Sequence, residues 1–300
     1  MYRLGLKLFV SIGVLFFLFK RVSLATFCEV ISGTDWSYIY ISLLIYLFAQ
    51  AICAFKWKLL AAPLGIIFPL KEFIAYYFIG MFFNLFLPTS MGGDIGKSYY
   101  LAKGGNSWSR AILSVLGERV TGAISLVMIL IVGGLSLRDY APLLKMGTSV
   151  IDSITPISFA PWAVVVPLAV FLILIVFMIA FLYPVQRPFL NQIRDHFPSE
   201  IFIIFWKRPA TVFKALGLGL FFQVLIIVIH ILIGYSLAIT VPPWYYFIIY
   251  PIADLISFLP LTFNGIGLRE WSYIYLLTLI GIPQEAALSF SLLWFFILFQ

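Results

Sequence analysis

Apolar residues run along this chain in blocks of about 20, the helical length that crosses a bilayer core of about 30 Å. Uninterrupted blocks predict membrane helices over residues 4–20, 37–59, 109–135, 161–183, 211–239 and 284–300. Two further apolar stretches, 72–102 and 244–280, are broken at their centres. The first break reads FLPTSMGGDIGKSYYL from Phe86, and the second reads FLPLTFNGIGLREWSY from Phe258. Each half-stretch is too short to span. The pattern therefore predicts two re-entrant helical hairpins, which dip into the membrane and turn back. Non-helical backbone at that depth has to be satisfied by protein or by a water-filled cavity. The alternative is a Pro/Gly kink in an ordinary spanning helix.

A shift of 172 residues superposes the two breaks: Phe86 on Phe258, Leu87 on Leu259, Pro88 on Pro260, Gly93 on Gly265 and Lys97 on Arg269. The order of elements repeats too, as helix, helix, broken pair, helix. A hairpin crosses nothing, so each half makes three crossings, and the second half is inverted relative to the first. The expectation is an all-α integral membrane protein with about six transmembrane helices and two re-entrant hairpins in an inverted repeat, an arrangement transporters use. Residues 1–300 form a single membrane domain, with halves at approximately 1–150 and 151–300.

Composition agrees with the pattern. The chain is 63% hydrophobic and 10% charged, against about 25% charged in soluble domains, and a soluble core of this size cannot bury so much apolar surface. The basic, apolar start, MYRLGLKLFV, lacks a small-x-small cleavage site and reads as an uncleaved first membrane helix. The net charge of +7 raises nucleic acid as a partner. No basic stripe with interleaved aromatics lies outside the apolar blocks, so no nucleic acid is expected. Most Lys and Arg, Lys56, Lys58 and Lys71 among them, fall in segments that the positive-inside rule makes cytoplasmic. Lys20, Arg21, Arg138 and Lys145 fall on the other side. That bias places both termini in the cytoplasm and the protein in the cytoplasmic (inner) membrane. Residues 22–35 and 136–160 read as connections on the far side. Cys28 and Cys53 have no metal or redox spacing.

The candidate chemistry sits at the breaks. Gly92, Gly93 and Asp94 open a helix that Asp94 is placed to cap, and its free N–H groups and positive dipole end attract phosphate or carboxylate. Lys97 adds a full positive charge one turn in. Asn264, Gly265 and Gly267 repeat the design, with Arg269 as the cation and Glu270 placed to cap or pair locally. Arg offers phosphate two parallel hydrogen bonds. The alternative is a capped turn whose Lys snorkels to head groups. Glu118 and Arg119 stand near the start of a membrane helix, either to hold a head-group phosphate or to contact other helices. Asp254 lies inside the second broken stretch, with Arg269 or Arg119 as its expected partner. Ionisable groups in a membrane are functional candidates because they are costly to keep there. His230 and Gln223, seven residues apart, share a helix face, and His230 reads as a packing residue. Gln50 and Asn84 read as interhelical hydrogen-bonders. No metal cluster, nucleophile elbow or P-loop is present, so neither a cofactor nor enzymatic activity is expected.

The two breaks resemble those of the lysylphosphatidylglycerol synthase transmembrane-domain family, also called flippase-like proteins. The first family motif, LP-x(3)-GG-[DE]-x-x-[RK], matches Leu87, Pro88, Gly92, Gly93, Asp94 and Lys97. A following E-R pair matches Glu118 and Arg119, and the second motif matches Pro260, Gly265, Ile266, Gly267, Arg269 and Glu270. Asn264 replaces a glycine of that motif, and Gly122 stands where an acidic residue is common. The resemblance covers nearly the whole chain. It implies translocation of a phosphate-containing lipid, with a membrane lipid (an anionic or lipid-linked head group) as ligand and a lipid-modifying enzyme as a possible partner. The soluble aminoacyl-transferase domain of the larger relatives is not expected. The alternative it implies is a membrane subunit or enzyme of glycolipid or polyprenyl-phosphate-linked sugar biosynthesis.

Overall fold

The structure is a computed structural model describing residues 13, 16, 23–86, 92–145, 207–258, 262 and 265–298, with side chains to 84 and to 134 in the first and second longer stretches. Among the described residues it is all-helical. Within the described residues nine α-helices follow one another: α1 (Leu24–Ser32), α2 (Trp36–Ala61), α3 (Leu70–Phe86), α4 (Gly92–Lys103), α5 (Trp108–Lys145), α6 (Pro209–Ser236), α7 (Tyr246–Ser257), α8 (Leu268–Thr278) and α9 (Gln284–Leu298).

Local chemistry sets these limits. Ser23 caps α1, accepting a hydrogen bond from the Thr26 amide, and Asp35 caps α2 by accepting from Ser37 N–H at 3.0 Å. A short 3₁₀ turn, Ala62–Leu64, and Gly65 in the left-handed region close α2. Pro209 occupies the first turn of α6, where no intrahelical donor is lost. The cap region of α2 is tied to the end of α6, because Asp35 N–H donates to Ser236 C=O at 2.9 Å.

Three described helices are long and apolar enough to cross a membrane: Trp36–Leu64, Trp108–Gly134 and Pro209–Ser236. They realise the blocks expected over 37–59, 109–135 and 211–239. The blocks at 4–20 and 161–183 lie outside the described residues, apart from positions 13 and 16. The block at 284–300 becomes α9, whose 15 residues rise only about 22 Å, short of a bilayer core. Residues 136–145 continue α5 as helix rather than beginning a loop. Over 22–35 the expected connection contains α1, which packs on α9.

Both broken stretches fold as antiparallel helix pairs. In α3 and α4, Tyr76 stacks on Tyr100 with ring centroids 5.4 Å apart, Gly80 lies against Lys97 and Gly93, and Phe83 against Gly96. These pairings run in opposite directions along the chain, so a kinked continuous helix is excluded here. In α7 and α8, Ser257 faces Gly265, and the Tyr245 hydroxyl donates to Leu276 C=O at 3.0 Å. Pro88 and Pro260 lie outside the described residues.

Two cores hold the assembly. The larger joins α2, α6, α7, α8 and α9 through Ile229, Ile249, Tyr273 and Phe290. The smaller packs Trp57, Phe73, Leu101 and Ala111 from α2, α3, α4 and α5. Trp57 anchors it, edge-on to Phe73 at 4.9 Å and donating its indole N–H to Ser114 Oγ at 3.1 Å. Buried tryptophan usually finds such a partner.

Candidate functional site

Beneath the first break, α4 and α3 approach too closely for any side chain but hydrogen. A Cβ on Gly93 would run into the Gly80 carbonyl and the Asn84 side chain. This close approach brings Asn84 Oδ1 within 2.7 Å of the Gly93 amide, which donates to it. The N-terminus of α4 is therefore capped from α3. Asp94 was expected to cap this helix. Its carboxylate is directed instead at a cation on α5.

Arg119 grips Asp94 with two parallel hydrogen bonds, from Nε to Oδ2 at 2.9 Å and from a terminal nitrogen to Oδ1 at 3.0 Å. Lys97 Nζ lies 3.5 Å from Asp94 Oδ1 and 3.6 Å from Glu118 Oε2. The other oxygen of Glu118 takes Lys56 at 3.2 Å, and Lys56 also donates to the Glu118 backbone carbonyl at 3.3 Å. Lys97 Nζ stands 4.1 Å from the centroid of the Tyr77 ring and 5.6 Å from that of Trp57, positions in which an aromatic face attracts a cation. Five ionised side chains from α2, α4 and α5 thus form one buried network.

Four of the five were expected from sequence. Lys56 was expected in a cytoplasmic segment; it is buried within α2, against Glu118. Its signal was present: a Lys inside an apolar helix demands a counter-charge, and Glu118 is an acid similarly placed. Gly122 has Lys56 Nζ 3.4 Å from the site of its missing Cβ.

The second break is built differently. Gly265 and Gly267 have φ of 76° and 92°, which favour glycine. The Gly267 amide donates to Glu270 Oε2 at 2.6 Å, half of a capping box whose other half a glycine has no side chain to supply. Glu270 Oε1 takes Arg269 Nε at 3.3 Å, and the guanidinium sits 5.3 Å from the Phe295 ring centroid. Glu270 therefore both caps and pairs. Asn264 lies outside the described residues. Asp254, half-buried on α7, feels the charges of both Arg269 and Arg119.

Between the cores, Gln223 on α6 accepts from the Tyr250 hydroxyl at 2.5 Å and reaches toward the Gly122 carbonyl at 3.4 Å. His230 is the packing residue expected. Its Nδ1 lies 2.8 Å from Ile226 C=O and its Nε2 2.6 Å from the Tyr273 hydroxyl. A carbonyl only accepts, so Nδ1 carries the proton and Nε2 accepts from Tyr273. Trp294, Phe290 and Tyr250 close around the ring. Among the described residues no group of His, Cys, Asp and Glu is arranged to hold a metal ion.

Apolar helices of spanning length, with an ion network held between helices, define an integral membrane protein. Over residues 5–300 the chain matches the family described as the lysylphosphatidylglycerol synthase TM region, and it belongs to that family. Comparisons with curated proteins and with solved structures gave no match.

Proposed function

We propose that this protein moves a phosphate-containing lipid head group across the cytoplasmic membrane, through a polar space between the two broken helix pairs, while the acyl chains stay in lipid. The observation that carries the reading is the network of Lys56, Asp94, Lys97, Glu118 and Arg119 held among apolar helices. Buried ionisable groups in a membrane are costly, and those that persist line substrate or ion pathways. Arg119 and Arg269 bind the phosphate, and the four carboxylates Asp94, Glu118, Asp254 and Glu270 offset the cations around it.

In this reading the pairs α3/α4 and α7/α8 are re-entrant. α4, α7 and α8 have 12, 12 and 11 residues, rising about 16–18 Å, half a bilayer. The inverted repeat is supported by element order: the shift of 172 residues carries α2 onto α6, α3/α4 onto α7/α8, and α5 onto α9. Both termini face the cytoplasm, and the head group passes by alternate opening of the space to either side. The reading assigns no chemical step to the protein; a lipid-modifying enzyme supplies or consumes the lipid.

Reconstitution tests this. Purified protein in liposomes is expected to translocate fluorescent phosphatidylglycerol, and Arg269→Ala to slow it about tenfold or more, as loss of a charge-assisted contact implies. Translocation no faster than in empty liposomes would remove the proposal.

A further inference from the structure

The ion network of the first half is closed at one end and open at the other. Lys56, Lys97 and Glu118 have side-chain exposures of 2%, 4% and 7%, whereas Asp94 has 18% and Arg119 39%. The network also holds three cations, Lys56, Lys97 and Arg119, against two carboxylates. A ligand arriving from outside therefore meets the Arg119–Asp94 pair first. The two nitrogens of Arg119 that face Asp94 form the planar fork that matches two phosphate oxygens equally well.

Resting on the phosphate-binding role given to Arg119 above, we propose that Asp94 is a built-in stand-in for the ligand: it occupies the anion seat of Arg119 until a phosphate oxyanion displaces it. The network is arranged to make that exchange inexpensive. Removing one partner from a buried pair normally strands a charge. Here Lys97 already lies 3.5 Å from the same Asp94 oxygen that Arg119 holds. On losing Arg119, Asp94 keeps a cation on its own helix. Lys97 can turn to it because Glu118 retains Lys56 at 3.2 Å. Every carboxylate stays paired throughout, and Arg119 exchanges one two-pronged anion for another. Lys97 thus acts as the holder of the displaced carboxylate rather than as a direct phosphate ligand, which fits its burial against Tyr77.

The test uses the full chain purified in a neutral detergent, with binding followed by native mass spectrometry in two titrations, one with phosphatidylglycerol and one with inorganic phosphate. Asp94→Asn removes the competitor, and the expected result is about tenfold tighter binding of the phosphate probe, the worth of one charge-assisted hydrogen bond. Lys97→Met leaves Asp94 with Arg119 alone, and the expected result is binding weaker by about the same factor. Adding Arg119→Gln to Asp94→Asn is expected to abolish the gain, which a general increase in positive charge would leave in place. A gain in both titrations assigns the seat to phosphate itself; a gain with the lipid alone assigns it to phosphate carried on a lipid. Unchanged or weaker binding by a monodisperse Asp94→Asn protein would overturn the stand-in. Where that variant aggregates, Lys97→Met decides, and unchanged or tighter binding overturns it. If the unaltered protein binds neither probe, it is the phosphate-binding reading that fails.

Discussion

In the first helix pair Lys97 shares its charge with carboxylates on two helices, whereas in the second Arg269 is paired with the residue beside it. The two breaks align in sequence, cation on cation, yet α4 is wired into α2 and α5 while α8 carries its own counter-ion at Glu270. A local pair keeps its partner when a helix moves as a body. A distributed network loses or exchanges partners when any one of its helices shifts. The contrast makes the first pair the one whose charges depend on helix position, whereas the second carries a counter-ion on its own helix at Glu270.

The largest effect is expected where that contrast is sharpest. Glu118→Gln leaves Lys56 and Lys97 buried with no carboxylate between them, and breaking a buried pair costs about 3–5 kcal/mol. Glu270→Gln keeps an oxygen that accepts from the Gly267 amide, and the loss expected is about 1–2 kcal/mol. Thermal unfolding in detergent compares the two. Equal losses would mean that the network is no more distributed than the local pair.

An intermediate effect is expected from the backbone contact beneath the network. Gly93→Ala sets a methyl group against the Gly80 carbonyl, forcing α3 from α4, with about 1–3 kcal/mol lost to overpacking. Gly217→Ala in α6 is the reference, since its Cβ would meet nothing within 4 Å and the change gains helix propensity of about 1 kcal/mol at most. A Gly93→Ala protein as stable as Gly217→Ala would show that the close approach is dispensable.

Much of this was legible in the chain. Block length gave the three spans because a bilayer fixes helix length, and Pro88 and Pro260 with their glycines marked both breaks. Glu118 and Arg119 could be flagged because a charge in an apolar helix is conspicuous. What they touch could not, since the partners lie on other helices: Asp94 is 25 positions from Arg119 in the chain, and Lys56 is 62 from Glu118. Lys56 was missed because a Lys three residues before the end of an apolar block looks the same whether it snorkels to water or turns inward. Asp94 resembled a cap because cap preference is a local rule, and the competing claim of Arg119 is not local.

The smallest effect concerns the aromatic box around His230. His230→Phe fills the same space among Trp294, Phe290 and Tyr250 but withdraws the acceptor of the Tyr273 hydroxyl. A buried hydroxyl left without its partner costs about 1–3 kcal/mol, and a change at the lower end is expected because the ring packing persists. Tyr273→Phe in the same background removes the stranded group, so the double variant is expected to recover part of that loss by thermal unfolding. A second substitution at Lys97 is expected to bring no such recovery to Glu118→Gln, since it still leaves Lys56 without its carboxylate. Recovery in one case and not in the other would separate a box held by packing from a network held by charge.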